Sequence, residues 1–152
     1  MKATIPLMVL SLFSLICKGQ DPKDKDLVYN VIIEFQKDFN EGSFANAFSY
    51  TTIDWEHINP NGGISKGRDN VLQEVRAVHQ SFLKGVKMKT ETIEIRFLTP
   101  TVAVADAIHL LDRYTTPDDK IHINERQIKT YIVIKQEGKW LLTHDHNTVI
   151  IN

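Results

Sequence analysis

The feature that most constrains this chain is its second half. From Lys87 to the end, nearly every residue falls in one of four long β-type segments: Met88–Leu98, Val102–Tyr114, Glu125–Gln136 and Trp140–Val149. The first two meet at "TPT" and the last two at "QEGK", so each pair reads as a hairpin. The first half carries helical periodicity instead. Val28, Val31, Ile32, Phe35 and Phe39 recur at helical spacing before a stop at Gly42, and Ser43 can cap a short second helix with Phe44, Ala47 and Phe48. A strand over Thr52–Ile58 and the turn "NPNGG" follow, with a short return strand around Ile64. A third helix runs from about Arg68 to Lys84 and buries Val71, Leu72, Val75, Val78, His79 and Phe82. Helices gathered before a long sheet predict an α+β fold, three N-terminal helices packed on a curved antiparallel sheet. A sheet of such long strands must curl, and helices on its concave side enclose a cone.

With 152 residues, the chain is one domain's worth, enough to bury roughly 70% of its unfolded surface. Residues 1–19, "MKATIPLMVLSLFSLICKG", have a basic start and an apolar run, the pattern of a secretory signal peptide. The expectation is a domain over residues 20–152 in the periplasm or outside the cell, with no membrane span. An alternative processing route makes Cys17 the lipidated first residue of an envelope lipoprotein, although Ile16 is larger than the residue usually found before such a cysteine. Cys17 is the only cysteine, so the domain itself has no thiol. The leader holds Lys2 and Lys18 and no acid; 16 basic and 19 acidic residues remain, a formal charge of −3. That balance offers nothing to nucleic acid.

The order of elements resembles the nuclear-transport-factor-2-like superfamily, with a cystatin-like α+β cone, and within it the SnoaL-like domain of the SgcJ/EcaC type. The resemblance is carried by Trp55, by "GR" (Gly67–Arg68), by His79 with Phe82, by "TYIVIKQEGKW" and by the closing "HNT" (His146–Thr148). It covers about Asp26 to Thr148 and implies a small-molecule pocket without a metal. Relatives in that superfamily include isomerases, cyclases, dehydratases and non-catalytic assembly modules, so the fold does not name the activity. The SgcJ/EcaC type also carries the label oxidoreductase, but no dinucleotide fingerprint, phosphate loop or nucleophile elbow is present, and no cofactor is expected.

Strand alternation then selects a candidate site. In Trp140–Asn147, one face carries Trp140, Leu142, His144 and His146, and its apolar bulk predicts that it points inward, with Asp145 outward. The same rule puts Ile128, Thr130, Ile132 and Ile134 inside and Lys129, Tyr131 and Val133 outside. The expected catalytic groups are His146, Asp106 and His79, as general acid or base on a small hydrophobic molecule. Trp55, His57, Phe82 and His144 are the expected pocket residues. His79 reads equally as a core histidine bonded to a backbone carbonyl, and Asp106 as a carboxylate satisfied by a neighbouring group. A zinc site on His144 and His146, completed by Asp106, His109 or His79, is the weaker alternative. The apolar Tyr131 and Val133 on the expected outer face predict a homodimer. A non-catalytic binding or dimerisation module is the competing function class.

Overall fold

The computed structural model describes residues 22–151, so the signal-peptide and Cys17 readings lie outside the described residues. Helix α1 (Pro22–Glu41) buries the predicted stripe of Val28, Val31, Ile32, Phe35 and Phe39. Gly42 ends it at a positive φ of 75°, and its amide donates to the Asp38 carbonyl at 2.8 Å. The short α2 (Ala47–Tyr50) follows and is capped by Asn46 without a side-chain bond, so Ser43 does not have the predicted role. Strands β1 (Thr51–Ile58) and β2 (Ile64–Lys66) form the first hairpin, and α3 (Arg68–Gln80) buries Val71, Leu72, Val75 and His79. Then come β3 (Met88–Thr99), β4 (Val102–Leu111), the two-residue strands β5 (Tyr114–Thr115) and β6 (Ile121–His122), β7 (Glu125–Gln136) and β8 (Lys139–Val149).

The main sheet has the order β2-β1-β8-β7-β4-β3, while β5 and β6 make a separate small hairpin. The sheet is mixed rather than wholly antiparallel, because β1 runs parallel to β8. Those strands lie far apart in the sequence, with the β3–β4–β7 meander between them in the chain. The helices cover one face of the sheet. Phe35 meets Phe44, Trp55 and Tyr131 edge to face, with ring centroids 5.8–6.5 Å apart, and this aromatic cluster centres the core. The described residues therefore form the α+β cone expected from the sequence.

A register shift in β8 and a reversed parity in β7 rearrange the predicted faces. In β8, His144 pairs with Ile132 but Leu142 pairs with Val133, so one extra residue, Thr143, is accommodated as a bulge. Trp140 and Leu142 point into the core as expected; beyond the bulge the parity flips and Asp145 is the buried residue. His144 and His146 point to the outer face instead. In β7 the buried residues are Gln127, Lys129, Tyr131 and Val133, not Ile128, Thr130, Ile132 and Ile134. Tyr131 and Val133 are fully buried, which removes them as a dimer surface.

Candidate functional site

A cavity of about 630 Å³ opens between the helices and the inner face of the sheet. Its apolar side is formed by Phe35, Phe39 and Phe44 below and by Val75, Val78 and Phe82 of the α3 region. Its polar side comes from β1, β7 and β8, with His57, Gln127, Lys129 and Asn147. The β5–β6 hairpin contributes Tyr114, Thr116 and His122.

Asp145 organises the polar side. His57 and Asp145 are direct neighbours across the parallel β1–β8 pair, so their side chains leave the sheet side by side. The Asp145 carboxylate is wholly buried and accepts three hydrogen bonds. Trp55 Nε1 donates to Oδ1 at 2.6 Å, while His57 Nδ1 and Lys129 Nζ reach Oδ2 at 2.5 and 2.8 Å. Burial alone would push this carboxyl up; the Lys129 ammonium and then His57 outweigh it and hold the carboxyl well below the usual range. An ionised carboxylate can only accept, so His57 carries its proton on Nδ1. In the neutral form of that tautomer the lone pair sits on Nε2, on a ring that lines the cavity.

Lys129 stands 3.9 Å above the Phe35 ring centroid, a cation over an aromatic face. Burial pushes its ammonium below the ordinary lysine value, and Asp145 opposes that shift. His109 is also buried, with Nδ1 2.9 Å from Thr90 Oγ1 and Nε2 2.7 Å from Tyr131 Oη. Burial, then the Lys129 charge, lowers it to about 3, so it is neutral near pH 7. Nearer the hairpin, Glu125 accepts from Tyr114 Oη at 2.7 Å and Gln127 Nε2 at 2.5 Å and pairs with His122 Nδ1 at 2.5 Å. The His122 ring stacks on Tyr114, 4.5 Å apart and 4° from parallel.

Of the predicted site residues, His57, His79 and Phe82 line the cavity. Trp55 lies behind it as an Asp145 donor. His79 Nδ1 bonds the Val75 carbonyl at 2.7 Å, and burial pushes its pKa down against the carbonyls of Val75 and Phe39. Asp106, His144 and His146 do not enter the cavity. Asp106 faces outward and accepts from Thr130 Oγ1 at 2.5 Å, and His146 is the exposed neighbour of that same Thr130. The bulge explains His144 and His146. Asp106 alternates with the small buried Ala105 and Ala107, whose size hid the inward face of β4. The residues that sequence reasoning missed are Asp145, Lys129, Gln127 and Asn147. Their only signal was the closing "HDHNT", where Asp145 and Asn147 share a face. Among the described residues, no group of three or more His, Cys, Asp or Glu is placed to hold a metal.

No family model and no curated protein sequence matches the chain. Solved structures do. An uncharacterised protein with a cystatin-like fold from Caulobacter vibrioides superposes with a TM-score of 0.80 at 25% identity, covering 85% of this chain and 91% of that one. A candidate ketosteroid isomerase from Shewanella frigidimarina gives 0.65 at 18% identity, covering 80% and 94%. A type 2 hexachlorocyclohexane dehydrochlorinase gives 0.72 at 10% identity, covering 85% and 86%. The class is therefore the cystatin-like α+β fold. At these identities the likeness is one of architecture, and the chemistry must come from the site itself.

Proposed function

We propose that this domain binds a small, mostly hydrophobic molecule in the cone and moves a proton on it without a cofactor, in a reaction of isomerase or lyase type. The observation that carries this reading is the 2.5 Å contact between His57 Nδ1 and a fully buried Asp145 carboxylate, with His57 on the cavity wall. His57 Nε2 takes a proton from carbon, and Asp145 fixes the tautomer and stabilises the imidazolium that forms. The phenylalanine wall excludes water and raises the strength of each charge interaction inside. An isomerase candidate and a dehydrochlorinase among proteins of this fold support that chemistry. Incubation with 2-tetralone in D2O, followed by NMR, tests it. The protein should speed exchange of the protons beside the carbonyl, and His57→Gln should slow that exchange by about 10²-fold or more. Wild-type protein no faster than buffer, or His57→Gln as fast as wild type, would overturn the reading.

The outer sheet face supports a homodimer, although not through the residues first expected. Val104, Ile108, Ile132 and Ile134 share that face, and Ile128 is 39% exposed. A second copy related by two-fold symmetry would cover it in a self-complementary contact. Light scattering at micromolar concentration should give a dimer, and Ile132→Glu, opposite Val104, should give a monomer. A wild-type monomer would end this proposal.

A further inference from the structure

The cavity's polar side has a direction that the proton-transfer reading does not use. Glu125 can only accept, so Gln127 must present Nε2 to it, and Gln127 Oε1 must then be the acceptor for Asn147 Nδ2 at 2.6 Å. This chain of amides fixes how Asn147 is turned. Its Oδ1 is left buried with no donor among the described residues. A buried acceptor without a partner is costly, and its retention points to a donor from outside the chain.

Asn147 and Lys129 are direct neighbours across the β7–β8 pair, and both line the cavity. Such neighbours hold their Cβ atoms about 5 Å apart on one face. The Lys129 ammonium has three donors; Asp145 takes one and another lies over the Phe35 ring. The wall thus offers one donor and one acceptor side by side, facing Phe35, Phe39, Phe44 and Phe82.

We propose that Lys129 and Asn147 together recognise a carbonyl and the hydroxyl on its β-carbon in an otherwise hydrophobic ligand, so that the substrate class is a β-hydroxy-carbonyl compound. The carbonyl oxygen accepts from Lys129, and the hydroxyl donates to Asn147 Oδ1. A carbonyl suits Lys129 better than a carboxylate does, because Asp145 already balances its charge and a second buried anion would be uncompensated. This assignment rests on the cavity being the functional site, but it concerns binding and needs no turnover.

Titration calorimetry with three probes tests it: 4-hydroxy-4-phenylbutan-2-one, the same ketone without the hydroxyl, and 1-phenylbutan-1-ol, which keeps that hydroxyl and lacks the carbonyl. Wild-type protein should bind the hydroxy-ketone at least tenfold more tightly than either partial probe, since a site built around a hydrogen bond rejects the analogue that cannot make it. Asn147→Leu should bring the hydroxy-ketone to parity with the plain ketone. His57→Gln should keep the wild-type ranking, which separates this assignment from the proton-transfer reading: exchange can fail with the ranking intact. Three probes within twofold of one another on wild-type protein would overturn the proposal whatever the variants do. So would an Asn147→Leu protein that still prefers the hydroxy-ketone tenfold.

Discussion

Asp145→Ala should destabilise the domain by roughly 3–5 kcal/mol, the usual cost of breaking a buried ion pair on one side. The reason is what it leaves behind. Lys129 would keep a charge at 4% exposure without its carboxylate partner, and Trp55 Nε1 and His57 Nδ1 would lose their acceptor. Urea unfolding at pH 7 measures the loss directly. The pair itself contributes less than its removal costs, because both charges were taken out of water to make it. A Lys129→Met/Asp145→Asn double variant should therefore be clearly more stable than Asp145→Ala, even though it lacks both charges. A loss under about 1 kcal/mol for Asp145→Ala would mean that the Lys129 charge is solvated or neutral in the folded protein.

That carboxylate also marks where the sequence could be read and where it could not. The helical stripes were plain, and that of α3 placed His79 on the cavity because a 3.6-residue period has one buried face, whereas Phe82 reaches it from the turn after α3 ends at Gln80. The sheet is different, since a strand's faces are separated by a single residue. The extra Thr143 in β8 reverses everything after Leu142, so the histidines that looked inward are on the outside and the aspartate between them is at the centre. No composition rule announces a bulge. In β7 the apolar pattern points the other way from the buried face. Ile128, Ile132 and Ile134 are the more apolar set, yet the cone takes Gln127 and Lys129, which line the cavity. A strand that puts lysine inside and isoleucine outside breaks the pattern at the place where a ligand would sit. In β1, Trp55 and His57 share the buried face by alternation, but Ile53, two residues before Trp55, lies within the register shift between Thr51 and Glu56 and is 78% exposed.

Stability should also fall steeply on mild acidification, and His109 is the main reason. Its folded-state value of about 3 lies below the ordinary 6.5, because burial and the nearby Lys129 charge disfavour the imidazolium. Below pH 6.5 the unfolded chain binds a proton that the folded chain refuses, so the stability is complete above that value and is lost as pH falls toward 3. One such group gives a slope of roughly 1.4 kcal/mol per pH unit, or about 3 kcal/mol between pH 6.5 and 4.5. His79, shifted the same way by burial, adds to the slope. Asp145, held low, adds its own loss as pH drops below the ordinary carboxylate value. Asp38 acts in the opposite sense: burial raises it, so it takes up its proton more readily when folded and offsets part of the loss. Urea titrations at pH 7, 5.5 and 4.5 should show this fall. His109→Gln, which keeps a polar group between Thr90 and Tyr131 but cannot titrate, should be less stable at pH 7 and lose stability more slowly with acid, by about one proton's slope. If the wild-type and His109→Gln proteins fall in parallel, His109 is protonated in the folded state and the buried neutral imidazole is wrong.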